Sequence, residues 1–156
     1  MKTSLLGFAI MSLLSSAMVW ADALDDVKEQ FIGDYELVTY VSFPAAGGEI
    51  DNDYIGRLSY DRFGNMSGLG MPRNLPERQS TSSERLTSGF GYWGSVSFNL
   101  DNNTVIHHVE GSPMVAQWVG GENVRFFEFV GNDILKLSLK DQNGRVTGTL
   151  TWQRLK

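Results

Sequence analysis

Residues 91–112 read GYWGSVSFNLDNNTVIHHVEGS, two runs parted by Asp101-Asn102-Asn103. In the first run Val96 and Phe98 alternate with Ser95, Ser97 and Asn99. That period of two places neighbouring side chains on opposite faces of a strand. The Asp-Asn-Asn step is a reversal signal, because both residue types tolerate positive φ and bond to nearby backbone. The stretch predicts an antiparallel hairpin.

The same pattern extends in both directions. YELVTYVSF (35–43), YIGRLSY (54–60) and NMSGLGM (65–71) precede the hairpin, and NVRFFEFV (123–130), DILKLSLK (133–140) and RVTGTLTWQRL (145–155) follow it. Arg62-Phe63-Gly64-Asn65, Gly131-Asn132 and Asp141-Gln142-Asn143-Gly144 supply further turn signals. No helical pattern separates these runs, so a parallel sheet has no crossovers to build it. Eight antiparallel strands in sequence predict an all-β, up-and-down barrel, whose closure removes exposed edges; a two-sheet sandwich is the alternative. Residues 22–31 carry acids first and then Leu24, Val27 and Phe31 at helical spacing, which predicts a short N-terminal helix.

Alternation also predicts an inner wall. Leu135, Leu137 and Leu139 share one face, as do Leu150 and Trp152, and as do Val96 and Phe98. Gly68 and Gly70 share a face with Met66, where they either leave room inside or bend the strand. Trp152 is expected in the core.

The first 21 residues, MKTSLLGFAIMSLLSSAMVWA, have a lysine near the start, an apolar run over Leu5–Leu14, and small residues at both recognition positions of a cleavage site ending at Ala21. A second site ends at Ala23. The apolar run falls short of the roughly 20 residues that cross a bilayer. Residues 1–21 are therefore expected to be a cleaved signal peptide and 22–156 one domain, periplasmic or secreted and without stable membrane insertion. A chain of roughly 130 residues can bury one real core. It has no cysteine, so packing and backbone pairing must hold it together. The net charge of -5 argues against nucleic acid as a partner, since that needs a basic surface. Glu77–Arg85, ERQSTSSER, reads as a polar connector.

TVIHHVEGS, then WVGGENVRFFEF (118–129) and LTWQRL (150–155), resemble the bacterial and fungal lipocalin-like domain family. GDYELVTY and GRLSYDRFGNMSG resemble its opening strands, so the likeness spans Gly33–Arg154. It implies a calycin-type eight-stranded barrel and leaves the ligand open. Barrels of this type usually begin Gly-x-Trp, the Trp packed against an Arg of the last strand. Here Tyr35 holds that place and Arg154 is the expected partner.

His107 and His108 must point to opposite faces of a strand and cannot share a metal without a bulge. His108 and Glu110 share a face, but with no cysteine and no third histidine neither a metal nor another cofactor is expected. His107 lies on the more apolar face, with Val105 and Val109, and is expected in the lumen. Arg125 alternates with Phe127 and Phe129, which tips it inward; outward pairing with Glu110 or Glu128 is the competing arrangement. The loop GSPMVAQWVGG (111–121) carries Met114, Val115 and Trp118 and is expected to cover the barrel mouth as a lid; packing over the closed end is the alternative. A monomer that binds a small hydrophobic or amphipathic molecule follows, with His107, Arg125, Val96, Phe98, Phe127, Leu137, Leu150 and Trp118 as candidate ligand contacts. The competing functions are an isomerase- or cyclase-type barrel enzyme with His107 as acid or base, and a filled barrel that serves as an interaction module.

Overall fold

The computed structural model describes residues 22–74 and 89–156. The expected signal peptide and the connector Glu77–Arg85 lie outside the described residues. A helix covers 22–31, its Lys28 paired to Asp25 one turn earlier at 2.9 Å. The barrel forms a separate unit that begins at Ile32.

Its strands are β1 (Gly33–Ser42), β2 (Ile50–Asp51), β3 (Tyr54–Tyr60), β4 (Asn65–Pro72), β5 (Phe90–Asn99), β6 (Thr104–Gly111), β7 (Glu122–Val130), β8 (Ile134–Lys140) and β9 (Val146–Arg154). Each long strand pairs antiparallel with the next, and β1 also pairs with β9, from Tyr35 opposite Arg154 to Ser42 opposite Gly148. That closure settles the barrel against the sandwich. The two-residue β2 was not expected; it is a short spur hydrogen-bonded to β1 alone.

Turn chemistry fixes the register. Asn103 takes φ 52° at the end of the β5–β6 reversal. In the β8–β9 turn Asp141 Oδ1 accepts from the backbone N–H of Asn143 and of Arg145, at 2.9 and 3.1 Å. In the resulting register Val96 faces His107 and Phe98 faces Val105, while on the other side of β6 Val105 faces Arg125 and His107 faces Asn123. Val105 and His107 are almost wholly buried. Residues opposite one another lie on the same side of a sheet, so Val96, Phe98, Asn123 and Arg125 all belong to the inner face.

Leu58, Tyr60, Met66, Leu135, Leu137 and Trp152 are also buried inside. A Cβ at Gly70 would stand 2.5 Å from the Phe90 ring, so that glycine makes room for an aromatic side chain. At the β1–β9 seam the Arg154 guanidinium lies 4.7 Å from the centre of the Tyr35 ring and donates to the carbonyls of Ile32 and Asn132. Burial pushes the Tyr35 hydroxyl up to about 12, against an opposing pull from Arg154.

Candidate functional site

Within the barrel lies a cavity of about 120 Å³. Leu58, Leu137, Leu139 and Leu150 give it aliphatic walls, and Gly68 leaves a gap in the β4 wall. Tyr40, Phe90, Tyr92, Trp118 and Trp152 add flat aromatic surfaces. Trp118 comes from the β6–β7 loop, where Ala116–Trp118 form one turn of 3-10 helix. Its ring stands edge-on to Tyr92, centroids 5.4 Å apart, a favourable arrangement of ring quadrupoles. Through Trp118 the loop thus contributes part of the cavity wall.

His107 enters from β6 and is held at both ring nitrogens. Nε2 lies 2.8 Å from the Tyr60 hydroxyl and Nδ1 lies 2.8 Å from the Tyr92 hydroxyl. A neutral imidazole carries one proton, so one tyrosine donates to the ring and the other accepts from it. Burial, reinforced by the Arg125 charge and by His108, lowers the His107 pKa to about 3. The ring is therefore neutral near pH 7. Burial also raises both tyrosines, Tyr60 most strongly, so the triad is uncharged throughout.

Among the described residues Arg125 is the one charged residue lining the cavity. It donates to the carbonyl of Val124 at 2.9 Å and, with Asn123, directs N–H groups at the Tyr92 oxygen, which offsets part of the rise caused by burial. Among the described residues no carboxylate pairs with it. The outward pairing with Glu110 or Glu128 is not formed; Glu128 pairs instead with Lys136, at 3.7 Å. Two further donors, Asn123 Nδ2 and Trp152 Nε1, are buried without a well-formed hydrogen bond.

Of the expected contacts, His107, Arg125, Trp118, Leu137 and Leu150 border this cavity. Val96, Phe98 and Phe127 face inward by register but do not line it. Alternation sets the face of a residue and not its height along the barrel, which is why those three were grouped with the rest. Trp152 is core, as expected, and also borders the cavity. Tyr60, Tyr92 and Asn123 were not anticipated, because nothing local in the sequence links them to His107. His108 lies on the outer face, with Nε2 2.8 Å from the Ser97 hydroxyl and Nδ1 3.3 Å from Glu122 rather than Glu110. No group of three metal-ligating side chains forms among the described residues.

The chain matches the lipocalin-like domain family over residues 32–155. No curated protein matches it. Two solved structures are similar in form. One is a redesigned β-barrel, 12% identical, covering 83% of this chain and 95% of its own, with a TM-score of 0.45. The other is a de novo designed fluorescence-activating β-barrel, 14% identical, covering 83% of this chain and 98% of its own, with a TM-score of 0.46. Since the family match takes in all but the last residue of the barrel unit, this chain belongs to the lipocalin-like domain family.

Proposed function

We propose that this protein is an exported, monomeric binder of a small amphipathic molecule, held in the barrel lumen beneath Trp118. Membership of a lipocalin-like family suggests ligand binding in general. The observation that carries the finer reading is the cavity itself: among the described residues, apolar and aromatic walls with a single cation, Arg125, and a Trp152 Nε1–H without a partner. Sites of this kind take the apolar body of a ligand by burial and orient it by a few polar groups. Export rests on the leader-like pattern of residues 1–21.

Catalysis by His107 is the weaker reading. Both ring nitrogens already hold tyrosines, and a group whose pKa is lowered to about 3 accepts no proton near neutrality. Native mass spectrometry of protein purified from its own host tests the proposal. The expected result is a monomer beginning at Asp22 or Leu24 that carries one small molecule, lost on unfolding. A ligand-free barrel that also leaves the fluorescence of Trp118 unchanged across a library of small amphipathic molecules would refute it.

A further inference from the structure

We propose that the cavity selects a one-ring aromatic acid, of the benzoate or phenolate class, with its ring between the aromatic walls and its anionic oxygen on Arg125. This rests on the lumenal-binding reading above and narrows it by size, shape and charge. A cavity of about 120 Å³ is of the order of the roughly 150 Å³ that encloses one benzene ring. A long acyl chain needs several times that space. The flat surfaces of Phe90, Tyr92, Trp118 and Trp152 match a planar guest better than a flexible one, since ring contacts favour offset and edge-on geometries.

The polarity of the lining fixes the other half. Among the described residues no aspartate or glutamate borders the cavity, and His107 there is neutral. A guanidinium carries five N–H donors; Arg125 commits donors to Val124 and Tyr92 and keeps others to offer. Trp152, 2% exposed, borders the cavity with an Nε1–H that has no acceptor. What the described lining lacks is negative charge. A carboxylate or phenolate supplies it, whereas a neutral or cationic ligand leaves the half-buried Arg125 cation without a counter-charge.

The test is a titration of the intact barrel with four probes: benzoate, a nitrophenol whose phenolate absorbs in the visible, toluene, and dodecanoate. Benzoate should bind more tightly than toluene, dodecanoate more weakly than benzoate, and bound nitrophenol should ionise at lower pH than free nitrophenol. Arg125→Met should weaken benzoate by roughly tenfold to a hundredfold, as for a lost charged hydrogen bond, leave toluene within a factor of about two, and abolish the nitrophenol shift. Arg125→Lys keeps the charge and should retain the order of affinities, which guards against a Met variant that fails to fold. Equal binding of benzoate and toluene, with no effect of Arg125→Met, overturns the charge assignment and leaves lumenal binding standing. Dodecanoate binding more tightly than benzoate overturns the size assignment alone. Absence of binding by all four overturns this proposal and the broader reading with it.

Discussion

His107 Nε2 lies 2.8 Å from the Tyr60 hydroxyl, both residues buried to within a few per cent of completely. The ring cannot gain a proton without placing charge in a barrel interior that already holds the Arg125 cation. A histidine held neutral by burial stabilises nothing by its charge; it resists acid until the fold gives way.

Stability should therefore fall with acid. The unfolded histidine binds a proton near pH 6.5, whereas the folded one does so only near pH 3. Between those values the unfolded state holds more protons, so stability is fully present above about pH 6.5 and is lost as pH falls towards 3, by up to about 1.4 kcal/mol per pH unit. Asp61 and Asp141, whose pKa values are lowered, add losses in the same direction, but only near and below the usual carboxylate range. Urea unfolding between pH 4.5 and 6.5 isolates the histidine. The slope should vanish in His107→Phe, and an equal slope in that variant would assign it elsewhere.

Tyr60→Phe should cost about 1–3 kcal/mol, because it strips a buried ring nitrogen of its partner without opening a large void. Tyr92→Phe should cost a similar amount, and the double variant less than the sum, since both bonds end on one ring. A double-mutant cycle by chemical denaturation measures the difference. Additive losses would mean that the two tyrosines act independently of His107.

The barrel was legible because alternation and turn residues act locally. Gly64, Asn103 and Gly144 lie in turns with positive φ, between runs whose period of two was visible without a partner strand. Arg125 was placed inward by Phe127 and Phe129 in its own strand, and the register with Val105 agrees. The triad was not legible. Its bonds join His107 to residues 47 and 15 positions away, and only closure of the sheet sets their heights together. Val96, Phe98 and Phe127 show the same limit from the other side, correct in face but not part of the cavity wall.

Chelation should leave the fold untouched. His108 is engaged by Ser97 and Glu122 on the outer face, while His107 is enclosed by tyrosines. Melting curves with and without excess chelator should coincide. A loss recovered by added zinc would direct attention to His108, Glu122 and Glu110.

At the seam, Arg154→Met should destabilise the barrel by about 1–3 kcal/mol. It removes a cation–π contact, worth about 0.5–2 kcal/mol, together with donors to the Ile32 and Asn132 carbonyls. Arg154→Lys keeps the charge but loses the planar fork, so its loss should be intermediate. Thermal denaturation ranks the three proteins, and a lysine variant as stable as the parent would show that the fork contributes nothing.

Gly70→Ala links packing to the cavity. The new methyl would stand 2.5 Å from Phe90 Cε1 and 2.6 Å from Phe90 Cζ, closer than such atoms can approach. The backbone of β4 is paired on both sides, to β3 and to β5, so the ring must give way rather than the strand. Phe90 borders the cavity, and a displaced ring changes its volume. Overpacking of this kind costs about 1–3 kcal/mol, so the urea midpoint should fall while the dependence on urea keeps its slope. Affinity for a lumenal probe should fall with it. Phe90→Leu removes the flat ring that the methyl meets, so adding it to Gly70→Ala should recover part of the lost stability. If the double variant is no more stable than the sum of its single losses allows, the clash is relieved elsewhere and Gly70 is not what makes room for Phe90.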